Sequence, residues 1–380
     1  MERLENINVE RIKATAGSHQ LTVESVFDEL SIAKSTLELL YETNSGLTWS
    51  QLSKIAKHLN RGVLYFMEQG NANQLTHQSV QFRSLENQKP GLSRKLRIII
   101  ENIERHREIY LSLREYIDYE PLPFIPRQMP SNAEDAAEAA RSWLNIEREN
   151  SFSKTRLEIE RAGALVVRSN GYHGAWKVPS EDDVLGFSLF YEVCPIIFVR
   201  KQDSDARQLF TLAHELGHLL LHKKHFIDGQ QEFSSSNKQE VEANKFAGHF
   251  LLPTELLAEI NDDHKPQSFS DYSRWLNEYT REWGVSIESI LRRLLDEERL
   301  TLTEYNSYRT WHSKQTYVKT DGGSRKYRHR EPRHLFGDGF VSAVIQSLRE
   351  NRITLVQASQ YLDNLKADDV KKLESYYAGN

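Results

Sequence analysis

Cysteine is almost missing from this chain: Cys194 is the only one in 380 residues. No intrachain disulfide can form, and a reducing compartment is the expectation. Any metal has to be held mainly by His, Asp or Glu. Long apolar runs are missing too. No stretch approaches the roughly eighteen residues a membrane helix needs. The opening segment, MERLENINVERIKATAG, lacks the apolar core of a signal peptide. These absences point to the cytoplasm and away from a membrane. Nor is there a basic excess: the net charge is -5. That excludes a surface that is one continuous nucleic-acid footprint, though not a local basic patch. Internal repeats and low-complexity tracts are absent as well.

What is present is an ordinary soluble composition, long enough for about two or three domains. Residues 1–70 read as short helices: TVESVFDEL with Thr22 as N-cap, AKSTLELLYE, GLTWSQLSKIAKHL and GVLYFME. Tight turns between them suggest a helix-turn-helix module. Residues 71–130 read as a connector with one long charged helix from Leu92 to about Tyr116. Four prolines in YEPLPFIPRQMPS end it and set a boundary near Pro130. Beyond it lies an α+β region, 131–300. SNAEDAAEAARSWL is an alanine-rich helix, and RAGALVVRSN, VLGFSLFYE and CPIIFVRK are three strands of one small sheet. Residues 301–380 hold a basic loop and further helices. The fold class is therefore mostly α with a small β-sheet.

The informative stretch is RQLFTLAHELGHLLLH. His214 and His218 are four apart, so a helix places both on one face, able to meet one ion. Glu215 stands about 100° around the helix, within reach of a water but not itself a ligand. This is the H-E-x-x-H arrangement of zinc peptidases. A helix this apolar must be buried, and two histidines and a glutamate inside it need partners. Gly217 leaves room for another segment to approach. The third ligand is expected from QEVEANKFA. Glu240 lies nearer the core face of that helix than Glu242, which is the fallback. Asn244, one turn on, suits the back nitrogen of a ligand histidine. A donor set of two His and one Glu takes Zn2+ and also tolerates Mn2+. For the oxyanion, His222, His225 and His249 are candidates.

The run GFSLFYEVCPIIFVRKQDSDARQLFTLAHELGHLLLH followed by EVEANKFAGHFLLP resembles the ImmA/IrrE family of bacterial metallopeptidases. The resemblance covers roughly residues 131–300. It implies a zincin-like core, metal on His214, His218 and Glu240, and Glu215 as catalytic base. It further implies site-specific cleavage of a partner protein, typically a helix-turn-helix repressor. Residues 1–70 resemble an XRE-type helix-turn-helix, as found in long members that act as antitoxin-like partners of a toxin.

Two functions follow. One is a zinc endopeptidase that controls transcription by cutting a repressor. The other is an antitoxin or regulator of a toxin–antitoxin or phage-defence module that binds its toxin and DNA without proteolysis. Charge bears on the DNA partner. Residues 1–70 hold seven Lys plus Arg against nine Asp plus Glu. The recognition helix offers Lys34 beside Glu38 and Glu42, so the module is expected to bind protein rather than DNA, or to bind DNA only as a homodimer with help from elsewhere. The window 309–334 has eight Lys or Arg against Asp321 and Glu331. Arg325, Lys326, Arg328 and Arg330 are its candidate phosphate contacts, with Trp311, Tyr317 and Tyr327 for stacking.

Overall fold

The computed structural model describes residues 3–19, 21–68, 85, 88, 91–115, 123–126, 128–171, 174–229, 237–315 and 325–378, with backbone alone for 325–327 and 378. The chain forms two compact units, 1–100 and 101–380.

The first unit is helical: α1 (Val9–Ser18), α2 (Val23–Glu29), α3 (Lys34–Thr43), α4 (Trp49–His58) and a short 3-10 turn, Val63–Phe66. Capping boxes start two of them, Thr22 with Ser25 on α2 and Thr48 with Gln51 on α4. Ile12, Val26, Phe27, Leu40, Leu52, Ile55 and Phe66 form its core. Helix α3 buries Leu37 and Leu40 and exposes Lys34, Glu38 and Glu42. A long helix, α5 (Arg94–Glu115), runs across the division between the units.

The second unit is built on a four-stranded mixed sheet, β1 (Leu165–Arg168), β2 (Gly186–Leu189), β3 (Ile196–Val199) and β4 (Phe226–Asp228), in the order β1-β3-β2-β4. β1 is parallel to β3; β2 is antiparallel to β3 and β4. The first three are the strands expected from their β-branched runs. β4 was not expected: three residues carry too little pattern to be read. Ahead of the sheet lie α6 (Ala133–Trp143), capped by Asn132, and α7 (Phe152–Arg161). α8 (Asp205–Gly217) crosses β2 and β3, and α9 (Lys238–Leu251) packs on α8 and α6. Then follow α10 (Thr254–Leu257), α11 (Tyr272–Trp283), α12 (Ile287–Asp296) and α13 (Leu302–Ser313). Trp311, read from sequence as a stacking residue, instead packs against this core.

The C-terminal helices are α14 (Glu331–Arg349), α15 (Leu355–Tyr361) and α16 (Ala367–Ala378). α14 packs on β1 and α7. A buried ion pair fastens it: Arg156 Nε donates to Glu160 Oε1 at 2.7 Å, and Glu160 Oε2 accepts from Gly339 N at 3.1 Å. Arg156 also donates to the carbonyl oxygens of His334 and Leu335. Gly337 sits at φ 83°, and a Cβ there would collide with the Glu160 carboxylate.

His106 on α5 lies among Trp176, Phe336 and Phe340, with its Nδ1 2.7 Å from Asn102 O. Burial lowers its pKa from 6.5 to about 4. The unfolded chain therefore binds the extra proton first as pH falls. Stability should be complete above pH 6.5 and decline between there and pH 4. Denaturation midpoints of wild type and His106→Phe across that window check this; the variant should decline less.

Candidate metal centre

Helix α8 supplies the first groups. Ser204 caps it by accepting from Arg207 N, and Asp205 in the first turn suits the positive end of the helix. Leu209, Leu212, Ala213 and Leu216 are buried on it, and His214, Glu215 and His218 are each 0% exposed. At His218 the helix widens into a single π turn, His218–His222, ended by Lys223 at φ 51°. Such turns occur mostly as isolated features, often at functional sites. His214 Nε2 and His218 Nε2 face each other at 3.0 Å.

Helix α9 supplies Glu240 from its first turn. Its Oε2 is 3.4 Å from His214 Nε2 and 3.6 Å from His218 Nε2. Close packing of α8 and α9 depends on Gly217, where a Cβ would lie 2.9 Å from the Phe246 ring. Strand β4 brings a fourth group that the sequence reading did not single out. Phe226 stacks on the His218 ring at 3.8 Å between centroids. Two residues along, on the same face of the strand, is Asp228. Its Oδ2 lies 3.4 Å from His218 Nε2 and 3.6 Å from His214 Nε2. One ligand atom from each of His214, His218, Asp228 and Glu240 falls within 4.8 Å of all the others.

Glu215 stands beside this group rather than in it. Its carboxylate rests against the backbone of Gly186 on β2, where any Cβ would collide with Oε1. Gly186 is the register partner of Asp228. Burial first, and then the Asp228 charge, raise the Glu215 pKa well above that of an ordinary carboxyl. At Glu240, burial pulls upward, but the two histidines outweigh it and hold the pKa at about 2. At His214, burial pulls downward, yet Asp228 and Glu240 raise it to about 9. Burial and the neighbouring His214 lower His218 to about 4.

Asp228 Oδ2, Glu240 Oε2 and both Glu215 oxygens are buried without a hydrogen-bond partner. Leaving such groups unmet costs about 1–3 kcal/mol each. A divalent cation meets the need, and imidazole nitrogens with carboxylate oxygens suit Zn2+ or Mn2+. His214, His218, Glu240 and Asp228 are the residues that fit it.

Behind His218 the protons can be placed. An ion on Nε2 leaves Nδ1 as the donor, and the partner is His222 Nδ1 at 2.9 Å. His222 then carries its proton on Nε2, 3.2 Å from Glu242 Oε2. Glu242 thus props His222 and does not reach the ligand nitrogens, while Glu240 does. His222 thus sits behind His218, held between its Nδ1 and Glu242.

The remaining candidates lie as follows. His225 Nδ1 accepts from Phe190 N at 3.0 Å, a structural role. His249 has its pKa lowered to about 4 by burial and Arg293, and it sits near Glu134 and Lys245. Asn244 is half-buried one turn beyond Glu240. Arg328 and Arg330 are exposed on a 3-10 turn, Arg325–Arg330. The side chains of Arg325, Lys326 and Tyr327, and all of Tyr317, lie outside the described residues. His222→Gln should weaken zinc binding about 10–100-fold. Chelator competition checks this, and unchanged affinity would remove His222 from the centre.

Residues 159–295 match the family model described as the IrrE N-terminal-like domain, Peptidase_M78. The match runs from the end of α7 to the end of α12 and contains the whole buried group, Glu215 included. No match was found among curated proteins. The buried group therefore lies inside a segment similar to the IrrE N-terminal-like peptidase domain.

Proposed function

We propose that this chain is a zinc-dependent, site-specific endopeptidase that regulates transcription by cutting a partner protein, expected to be a helix-turn-helix repressor. The observation that carries the reading is the buried group of His214, His218 and Glu240 beside Glu215, inside the span matched by a peptidase family. A bound divalent ion supplies Lewis-acid polarisation of the scissile carbonyl and acidifies the attacking water. The chain's own residues do the rest. Glu215 takes a proton from that water and passes it to the leaving amine. Burial and the Asp228 charge raise its pKa above that of an ordinary carboxyl, the direction that favours holding a proton between the two transfers. Gly186 lets the carboxylate sit tight against β2, which limits its freedom to turn away. His222 and Glu242 keep His218 in one tautomer.

A second reading is favoured by Asp228. Four protein ligands are the mark of a structural zinc site. A regulator of the antitoxin type, binding its toxin and an operator without proteolysis, would keep such a centre. The first unit would then carry partner contacts. Lys34 beside Glu38 and Glu42 on the exposed face of α3 favours a protein partner over duplex DNA.

Glu215→Gln separates the readings. Wild-type protein added to a lysate of its own host should create one or a few new protein N-termini. The variant should lose about 10²–10⁴-fold in their rate of formation at unchanged metal content. Equal cleavage by both proteins would overturn the peptidase reading.

A further inference from the structure

The distances of Asp228 from the two histidines give it equal standing with Glu240. The two carboxylates approach the histidines in mirrored fashion. Asp228 is 3.4 Å from His218 and 3.6 Å from His214; Glu240 is 3.4 Å from His214 and 3.6 Å from His218. The histidine nitrogens are 3.0 Å apart. Ligands at about 2.0–2.2 Å around one tetrahedral ion are separated by about 3.3–3.6 Å. Asp228 and Glu240 therefore flank the histidine pair symmetrically, within 4.8 Å of each other, and either can supply a ligand atom to an ion held there. A catalytic zinc keeps three protein ligands and leaves the fourth vertex to water or substrate.

Burial points the same way. Asp228 is 1% exposed, and Oδ2 has no hydrogen-bond partner although it is directed at both Nε2 atoms. The strand holds it there: Leu185 N donates to Asp228 O at 2.8 Å, and Phe226 on the same face is stacked on His218. A carboxylate placed so has no solvent to face.

We propose that Asp228 is a fourth protein ligand that closes the metal centre, so that the peptidase is latent until the Asp228 carboxylate leaves its vertex. This rests on the metal-peptidase reading of the same site. The exchange is one of ligands only. The Asp228 carboxylate withdraws, and a water or the substrate carbonyl oxygen takes its place beside Glu215, with no change of oxidation state. Rotation of one side chain frees the vertex, so β4 can keep its pairing with β2.

Cobalt(II) in place of zinc makes the vertex visible, because its absorption reports ligand number and exchange. The probe is acetohydroxamate, a small bidentate ligand for open metal centres. Wild-type protein loaded with Co2+ should give the intense visible bands of a four-coordinate ion, and these should resist acetohydroxamate. Asp228→Ala should keep the ion and respond to acetohydroxamate at a concentration about tenfold or more below any that moves the wild type, since an intramolecular ligand no longer competes. Asp228→Asn, which preserves shape, should respond in between and covers the case in which alanine disturbs β4. A wild-type spectrum that shifts at the same acetohydroxamate concentration as the variants overturns the closed centre while leaving the metal reading intact. Wild-type protein that takes up no Co2+ or Zn2+ overturns the metal reading itself.

Discussion

Everything in the second unit answers to one constraint. A single apolar helix carries two imidazoles and a carboxylate with no exposed surface at all. Buried ionisable groups must find compensation, or the helix would not stay where its leucines put it. Here compensation comes from two more carboxylates, which themselves need a positive partner. The imidazoles meet part of that need, and a cation among the groups would meet the rest. Folding and the charge balance of this group are thus parts of one energetic problem, and the sheet and neighbouring helices divide the task of keeping the groups convergent.

The division is visible in where side chains are missing. Gly217 allows α9 to lie against α8, which brings Glu240 to the histidines. Gly186 allows β2 to lie against Glu215, which fixes its carboxylate. One glycine serves the histidine–carboxylate group and the other serves Glu215. At the far edge of the sheet, α14 is held on β1 by the buried Arg156–Glu160 pair and by the backbone around Gly337 and Gly339. The described residues beyond 300 are therefore packed into the same unit as the centre.

What could be read in the sequence is what lies within one helix or one strand. Four-residue spacing gave the histidine pair, and helical phase favoured Glu240 over Glu242. Runs of Leu, Val, Ile and Phe gave three strands, and Asn132 and Thr22 gave helix starts. What could not be read depends on contact between distant segments. Asp228 reaches the centre only because β4 pairs with β2, and three residues leave no periodic trace. His222 was a candidate for the oxyanion, but its partners are His218 Nδ1 and Glu242, a choice made by tertiary packing. The aromatic residue Trp311 resembled a stacking platform in its basic surroundings, yet burial against the core decided its role.

The π turn at His218–His222 has a consequence for how this protein tolerates change. It sets the ligand pair and its outer support in two different helical phases, joined at His218. Closing the turn to ordinary α-helical pitch would leave every letter of HELGH in place. It would also swing His222 to another azimuth, away from Glu242. Integrity of the motif and integrity of the centre are thus separable: a chain can keep the first while losing the second through a change in the three leucines that follow.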